Sequence, residues 1–162
     1  MIKYIGSKRN LVGWIVGVAQ QVAACMPICT VVDLFSGSAR VAHAFKARGY
    51  FVYANDYAAY AYILARALVE ADRAEYPPER IQPILHALMQ LPPEHGWFTR
   101  TYCDEARYFR PENGARIEAI RNAIAHYDDP TLQAILLTSL MLAADKVDST
   151  TGLQMACRVG SS

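Results

Sequence analysis

Residues 30–56 read TVVDLFSGSARVAHAFKARGYFVYAND, and the rest of the chain is interpreted around the strand–helix–strand unit that this segment predicts. Residues 31–35 form a short apolar run that begins with two β-branched side chains, a pattern typical of a buried strand in a parallel sheet. Turn residues follow at 36–38. Apolar residues then recur at helical spacing as far as Gly49, a residue suited to the position just after a helix. Residues 50–54 form a second apolar run, which predicts a second strand.

The turn after the first predicted strand is a candidate nucleoside site. Such a turn directs backbone N–H groups and the start of a helix toward one point, and Gly37 has no side chain to keep a ligand away. Asp56 follows the second predicted strand, where a carboxylate can accept hydrogen bonds from both ribose hydroxyls of an adenosine. The turn has one glycine instead of Gly-x-Gly-x-x-Gly, which argues against a pyrophosphate and a nicotinamide dinucleotide. An ordinary tight strand-to-helix turn would show the same residues.

The composition indicates one domain with more apolar surface than a small domain needs. The chain has 162 residues, of which 53% are hydrophobic and 19% are charged, whereas the usual charged share is about 25%. The net charge of +1 neither indicates nor excludes nucleic acid. The sequence has no apolar run long enough for a membrane span and no apolar signal segment after its first basic residues, so we expect a cytoplasmic protein.

The cysteines and histidines do not form a recognisable metal-binding pattern. Cys25 and Cys29 are separated by three residues, and no other pair stands at zinc-ligand spacing. We therefore expect no metal, and we interpret the four thiols, which include Cys103 and Cys157, as free and mostly buried. The four histidines are scattered and are interpreted as packed or surface residues.

The remainder of the chain is interpreted as mainly helical. The patterns predict helices over about 11–24, 57–71, 81–91, 113–127 and 131–147, and Asp129 and Pro130 are placed at the N-cap and first position of the last one. Residues 97–110 are predicted to be a loop in which aromatic residues alternate with arginines. Such a loop could stack bases and contact phosphates, or its aromatic side chains could pack it onto the core.

Five segments of the sequence resemble one enzyme family. They are KYIGSK at 3–8, DLFSG at 33–37, ND at 55–56, RYFRPENGARI at 107–117 and ADKVDSTTGLQMA at 144–156. In this order they resemble the Dam-type adenine-specific DNA methyltransferases over nearly all of residues 2–156. The resemblance implies an α/β, Rossmann-like S-adenosylmethionine-dependent methyltransferase fold, truncated to few parallel strands and mostly helical by residue count.

The resemblance also implies a set of cofactor-binding residues, with S-adenosylmethionine as the cofactor. By the family pattern, Tyr4 lines the cofactor pocket and Lys8 contacts the carboxylate side of the cofactor. Phe35 and Gly37 shape the floor of the pocket, and Asp56 binds the ribose.

The sequence departs from the family pattern in the residues that perform the transfer. The catalytic Asp-Pro-Pro-Tyr motif is absent, and the nearest string is DDPT at 128–131. That motif positions the amino group of an adenine that has left the base stack and stacks an aromatic ring on it. No catalytic residue is therefore assigned. Ala39 also stands where many methyltransferases have a second glycine.

The resemblance implies a cofactor-binding part over residues 1–156, with a helical insertion at about 72–147 and an aberrant tail at 157–162. We expect an N-terminal fragment whose first strand has an unpaired edge and whose apolar helix faces lack partners. Such surfaces favour self-association.

The implied function is methyl transfer to the exocyclic amino group of adenine at specific sites in double-stranded DNA, in a restriction-modification context. This chain is expected to be inactive alone. Two alternatives remain open. One is a methyltransferase for RNA or a small molecule, and the other is a non-catalytic remnant or interaction module that pairs with a separate chain.

Overall fold

The computed structural model describes residues 8–149 and divides between Glu75 and Tyr76 into two compact units. The described part is a mixed α/β structure, mostly helical, with one two-stranded parallel sheet. None of the helices within residues 8–149 is both long and apolar enough to cross a bilayer.

The first unit contains the strand–helix–strand segment that the sequence predicts. Its elements are a 3-10 turn Lys8–Asn10, α1 Val12–Cys25, β1 Thr30–Asp33, α2 Arg40–Lys46, β2 Phe51–Ala54 and α3 Ala59–Ala65, which continues as a π-helical segment Arg66–Glu70. The two strands are parallel, with Thr30 opposite Phe51 and Asp33 opposite Ala54. Gly49 follows α2 with a φ of 83°, and its N–H donates to the carbonyl of Lys46. Gly49 thus closes the turn after α2 in a conformation that costs glycine little, but it lies two positions past the C-cap Ala47 instead of at the predicted C′ position.

Helices α1 and α2 cover one face of the sheet and leave the other open. Val16 of α1 and Val41 and Phe45 of α2 form the core, and Val31 and Val52 pack against it from the strands. The opposite face presents exposed apolar side chains, namely Val32, Leu34, Phe51 and Tyr53. The prediction of a buried strand over 31–35 is therefore wrong for this face, because no helix among the described residues packs on it.

The second unit is helical. Its helices are α4 Pro78–Met89, α5 Trp97–Thr99 with a π-helical continuation Arg100–Glu105, α6 Pro111–Ile124 and α7 Pro130–Val147. Leu88 of α4, Ile124 of α6 and Leu132 and Leu136 of α7 form its buried core. Asp129 caps α7, since its side chain accepts hydrogen bonds from the N–H groups of Thr131 and Leu132. This cap confirms the interpretation of Asp129 and Pro130.

Two predictions for the second unit are wrong. Residues 97–105 are helical instead of a loop, and α6 begins at Pro111 instead of Asn113 or Gly114. Pro111 occupies the first helical position, where its missing N–H is not needed. The aromatic side chains of this region pack on one another, with ring centroids 5.0 Å apart for Phe98 and Tyr102 and 5.9 Å apart for Phe98 and Phe109.

The thiols differ from the prediction in their exposure. Cys25, Cys29 and Cys103 are free, as expected, but Cys25 and Cys29 are exposed and Cys103 alone of these three is buried. The first two lie at the end of α1 and just before β1, where the chain passes over the surface. Cys157 lies outside the described residues. Within residues 8–149, no group of three or more His, Cys, Asp or Glu side chains is arranged to hold a metal ion.

Candidate functional site

The carboxyl ends of β1 and β2 meet at one edge of the sheet, because the strands are parallel. Backbone pairing continues past both strands. The N–H of Asn55 donates to the carbonyl of Asp33 at 2.8 Å, and the N–H of Ser36 donates to the carbonyl of Asn55 at 2.9 Å. The side-chain amide of Asn55 also donates to the carbonyl of Leu34 at 3.0 Å. These bonds hold the turn after β1 against the chain that leaves β2.

Asp56 links that turn to the start of α3. Its Oδ2 accepts from the N–H of Gly37 at 2.8 Å, and its Oδ1 accepts from the N–H of Ala58 at 3.0 Å. The N–H groups of Ala58 and Gly37 lower the pKa of the Asp56 carboxyl below its usual range, and the nearby charge of Lys8 contributes in the same direction. Asp56 is therefore ionised at neutral pH, and its carboxylate has about four acceptor positions, of which the N–H groups of Gly37 and Ala58 use two.

Lys8 lies at the same edge. Its Nζ donates to the carbonyl of Phe35 at 3.2 Å, which places an ammonium group beside the turn. Phe35 is 79% exposed, and its backbone carbonyl is the group that contacts Lys8. The structure thus brings Lys8, Phe35, Gly37 and Asp56 together. Tyr4 lies outside the described residues.

The turn has left-handed backbone at two positions, of which only Ala39 is strained. Gly37 has a φ of 51°, and Ala39, just before α2, has a φ of 55° and is fully buried. Left-handed backbone is easy for glycine but costs an L-residue about 1–2 kcal/mol. Ala39 thus adopts a glycine-like backbone at the position where many methyltransferases carry glycine.

Two polar atoms at this edge were not among the predicted site residues. Asp33 Oδ2 and Ser36 Oγ are both buried, and neither has a hydrogen-bond partner in the described part of the chain. Buried polar groups are nearly always paired, so an unpaired carboxylate oxygen and hydroxyl suit a polar ligand. Asp33 gave a signal in the sequence, since it is an acid within an otherwise apolar strand.

Comparison with known proteins gives the family. Residues 4–159 match the family model described as D12 class N6 adenine-specific DNA methyltransferase. The chain belongs to this family. The resemblance seen in the sequence is thereby confirmed.

Two curated relatives of this D12 family member are type II methyltransferases. M.NlaIII of Neisseria lactamica is 33% identical over 159 residues, which cover 92% of this chain and 47% of the relative. M2.HphI of Haemophilus parahaemolyticus is 31% identical over 139 residues, which cover 83% of this chain and 37% of the relative. The chain therefore spans less than half the length of these relatives. No solved structure matches it with significance.

Proposed function

We propose that this chain binds S-adenosylmethionine at the carboxyl edge of β1 and β2 and is the cofactor-binding part of a DNA adenine methyltransferase. The observation that carries the proposal is the Asp56 carboxylate, held between the N–H groups of Gly37 and Ala58 beside the Lys8 ammonium. Family membership supports the choice of ligand. The cofactor would supply a methyl group on a sulfonium.

The residues present fit the polar parts of this cofactor. The remaining acceptor capacity of the Asp56 carboxylate suits a ribose hydroxyl, and the Lys8 ammonium suits the methionine carboxylate. The unpaired Asp33 Oδ2 suits the α-ammonium, and the Ser36 hydroxyl can bond to either polar group. Gly37 lets the ligand approach the backbone. Contacts from Tyr4 and the ring of Phe35 remain part of the proposal.

We propose that the methyl acceptor of the whole enzyme is the exocyclic amino group of adenine in double-stranded DNA. The sequence contains no Asp-Pro-Pro-Tyr, so we infer that this chain alone does not transfer the methyl group. The complete domain would be Rossmann-like. Residues 76–147 fall within the helical insertion that we place at about 72–147.

A second candidate function is that of an interaction module, and the open face of the sheet favours it. Parallel sheets are normally covered on both faces. Here Val32, Leu34, Phe51 and Tyr53 are 56–62% exposed on one face. A separate polypeptide that covers this face would complete the domain.

Isothermal titration with S-adenosylhomocysteine tests the cofactor proposal. The wild-type chain is expected to bind, and Asp56→Ala is expected to bind at least about tenfold more weakly, because it removes charged hydrogen-bond acceptors. Asp56→Asn keeps one side-chain acceptor and should fall between the two. Circular dichroism would confirm that each variant is folded.

Asp104→Ala is the matched control, since Asp104 is an exposed carboxylate outside the site. Its affinity should equal that of the wild type. If Asp56→Ala bound as tightly as the wild type, Asp56 would have no ribose role. If the folded wild-type chain did not bind at all, this chain would not have the proposed cofactor site.

A further inference from the structure

Helix α1 exposes an apolar face to solvent, although the helix contains no charged residue. Trp14 is 70% exposed, and Val18 and Val22 are 40% and 45% exposed. Leu11, the N-cap, is 54% exposed, and Cys25 at the end of the helix is also exposed. Contiguous exposed apolar side chains mark interaction surfaces. We call these five residues the α1 stripe.

The α1 stripe lies on one face of the helix. Its members stand at 11, 14, 18, 22 and 25, so each is three or four residues from the next and adjacent to it on the helix surface. A different face packs on the core of the unit, through Val12, Ile15, Val16 and Ala19. Spacing by three and four residues is also the pattern along the seam between paired helices in coiled coils. The α1 stripe therefore has the pattern of a helix-pairing surface.

The spacing of the α1 stripe is symmetric about Val18. Its intervals are 3, 4, 4 and 3 residues. When two copies of α1 pair in antiparallel orientation with Val18 on the twofold axis, residues at equal distances before and after Val18 lie level with one another. Trp14 then faces Val22 of the second copy, and Leu11 faces Cys25. A larger side chain meets a smaller one at each level, as the packing of helix ridges into grooves requires.

The surface beside Trp14 is open to an approaching helix. Gly13 and Gly17 border the α1 stripe, and a Cβ at either position would meet nothing within 4 Å. Because α1 has no acidic or basic side chain, a second copy would bring no like charge to the contact. The surface is thus complementary to itself in both shape and charge.

The exposed area is sufficient for a weak dimer. The exposed parts of the α1 stripe amount to about 500 Å² in each copy, so a symmetric pair would bury about 1,000 Å² in total, near the lower limit for specific interfaces. An interface of this size supports reversible association. A second copy suits the surface better than an unrelated helix, because a twofold contact requires the same patch to match itself.

We propose that α1 is a homodimer interface, in which the α1 stripes of two copies pair antiparallel about Val18. None of the residues of the proposed cofactor site belongs to this surface. The inference therefore goes beyond the proposed function and does not depend on S-adenosylmethionine binding.

Sedimentation velocity of the full chain over a range of concentrations tests the proposal. We expect a reversible dimer that is half formed at about 1–100 μM. A Trp97→Phe background leaves Trp14 as the only tryptophan. Its emission should move to shorter wavelength over the same concentration range, because pairing buries the indole.

Val18→Glu places two like charges against each other at the twofold axis and is expected to weaken the dimer at least about tenfold. Val18→Lys should do the same, and an equimolar mixture of the two variants should restore a dimer. That restoration would show that neither variant fails to associate through misfolding. Gln20→Glu is the matched control, since Gln20 is exposed on the same helix outside the α1 stripe. It should dimerise like the wild type.

Disulfide trapping tests the orientation of the two helices. In a background with Cys29→Ser and Cys157→Ser, Leu11→Cys should cross-link to Cys25 of a second copy under mild oxidation by copper phenanthroline. Without Leu11→Cys, the same background should not cross-link. The two Cys25 residues of an antiparallel pair are separated by about 21 Å along the helix axis, which is too far for a disulfide.

Several outcomes would overturn the inference. A wild-type chain that stays monomeric over this concentration range would leave the α1 stripe to a different polypeptide. Equal association by Val18→Glu and the wild type, or equal weakening by Gln20→Glu and Val18→Glu, would contradict a contact centred on Val18. A disulfide between two Cys25 residues would show parallel pairing. Loss of the dimer in Val32→Glu, with Val18→Glu unaffected, would assign the contact to the open face of the sheet.

Discussion

At the scale of single residues, each unit has a carboxylate that accepts hydrogen bonds from backbone N–H groups near the start of a helix. In the first unit, the Asp56 carboxylate accepts hydrogen bonds from the N–H groups of Gly37 and Ala58. Glu118 of α6, which is 7% exposed, accepts from the N–H groups of Gly96, Phe98 and Thr99 and from the Thr99 hydroxyl. Hydrogen bonds to an ionised acceptor are stronger than neutral ones, so each acid fixes the start of a helix that lacks a local cap.

The Glu118 site predicts a specific pH dependence of stability. Burial raises the pKa of Glu118, but the Thr99 hydroxyl and the surrounding N–H groups outweigh it and lower the pKa from 4.5 to about 2. Because the folded chain holds this proton less tightly than the unfolded chain, the stabilisation is complete above about pH 4.5 and is lost as the pH falls toward 2. Urea denaturation between pH 7 and pH 2 measures it.

Glu118→Gln is expected to lower the free energy of unfolding at pH 7 by about 2–4 kcal/mol, because one amide oxygen cannot satisfy every buried donor. Its stability should also depend less on pH below 4.5 than that of the wild type. Glu112→Gln, at an exposed position on the same helix, is the control and should follow the wild-type curve. Parallel curves for Glu118→Gln and the wild type would contradict this account.

At the scale of elements, α6 packs closely against the π-helical segment Arg100–Glu105. A Cβ on Gly114 would lie 2.0 Å from the Sγ of Cys103, which is buried. A glycine in a helix interior is usually a weakness. Here it allows the two elements to pack, and Gly96 does the same beneath Glu118, where a Cβ would lie 2.4 Å from Oε1.

This packing predicts coupling between Gly114 and Cys103. Gly114→Ala should destabilise the chain by about 1–3 kcal/mol through overpacking, although alanine is the better helix former. In a Cys103→Ala background the sulfur is gone and the next atoms lie at least 3.5 Å away, so the same substitution should be neutral or stabilising. A double-mutant cycle by urea denaturation measures the coupling. Additive effects of the two substitutions would show that the contact does not limit packing.

At the scale of the whole molecule, one surface is unlike that of an ordinary soluble domain. The open face of the sheet groups apolar side chains that are more than half exposed, among them Val32, Leu34, Phe51 and Tyr53. Exposed apolar patches of this kind mark interaction sites or aggregation hazards. Self-association through the exposed edge of the sheet remains a prediction.

Neighbouring residues of β1 provide a matched test of this asymmetry. Val32→Thr on the open face should change the free energy of unfolding by less than about 0.5 kcal/mol and reduce binding of an apolar dye. Val31→Thr, against the Val16 core, should cost about 1–2 kcal/mol because it buries a hydroxyl. Urea denaturation measures the free energies of unfolding, and size-exclusion chromatography at rising concentration measures self-association. Equal stability losses would mean that both faces are covered in solution.

The sequence by itself determined the features that depend on neighbours along the chain. These are the strand–helix–strand unit, the glycine turn after α2, the Asp129 cap and the family membership shown by motifs in order. Each follows from local backbone preference or from a short string of residues. The apolar run of β1 did not reveal that one face of the strand is open. The sequence of a strand does not specify which helices pack on each of its faces.

Only the tertiary structure decided how distant residues combine. It joined Asp56 to Gly37, left Asp33 Oδ2 and Ser36 Oγ without partners, and placed Glu118 against the start of α5. It also showed that residues 97–105, predicted to be a loop, are helical, and that a groove lies beside β2. The physical reason is the same throughout: hydrogen-bond satisfaction and close packing are settled between segments far apart in the chain, where periodicity and propensity carry no information.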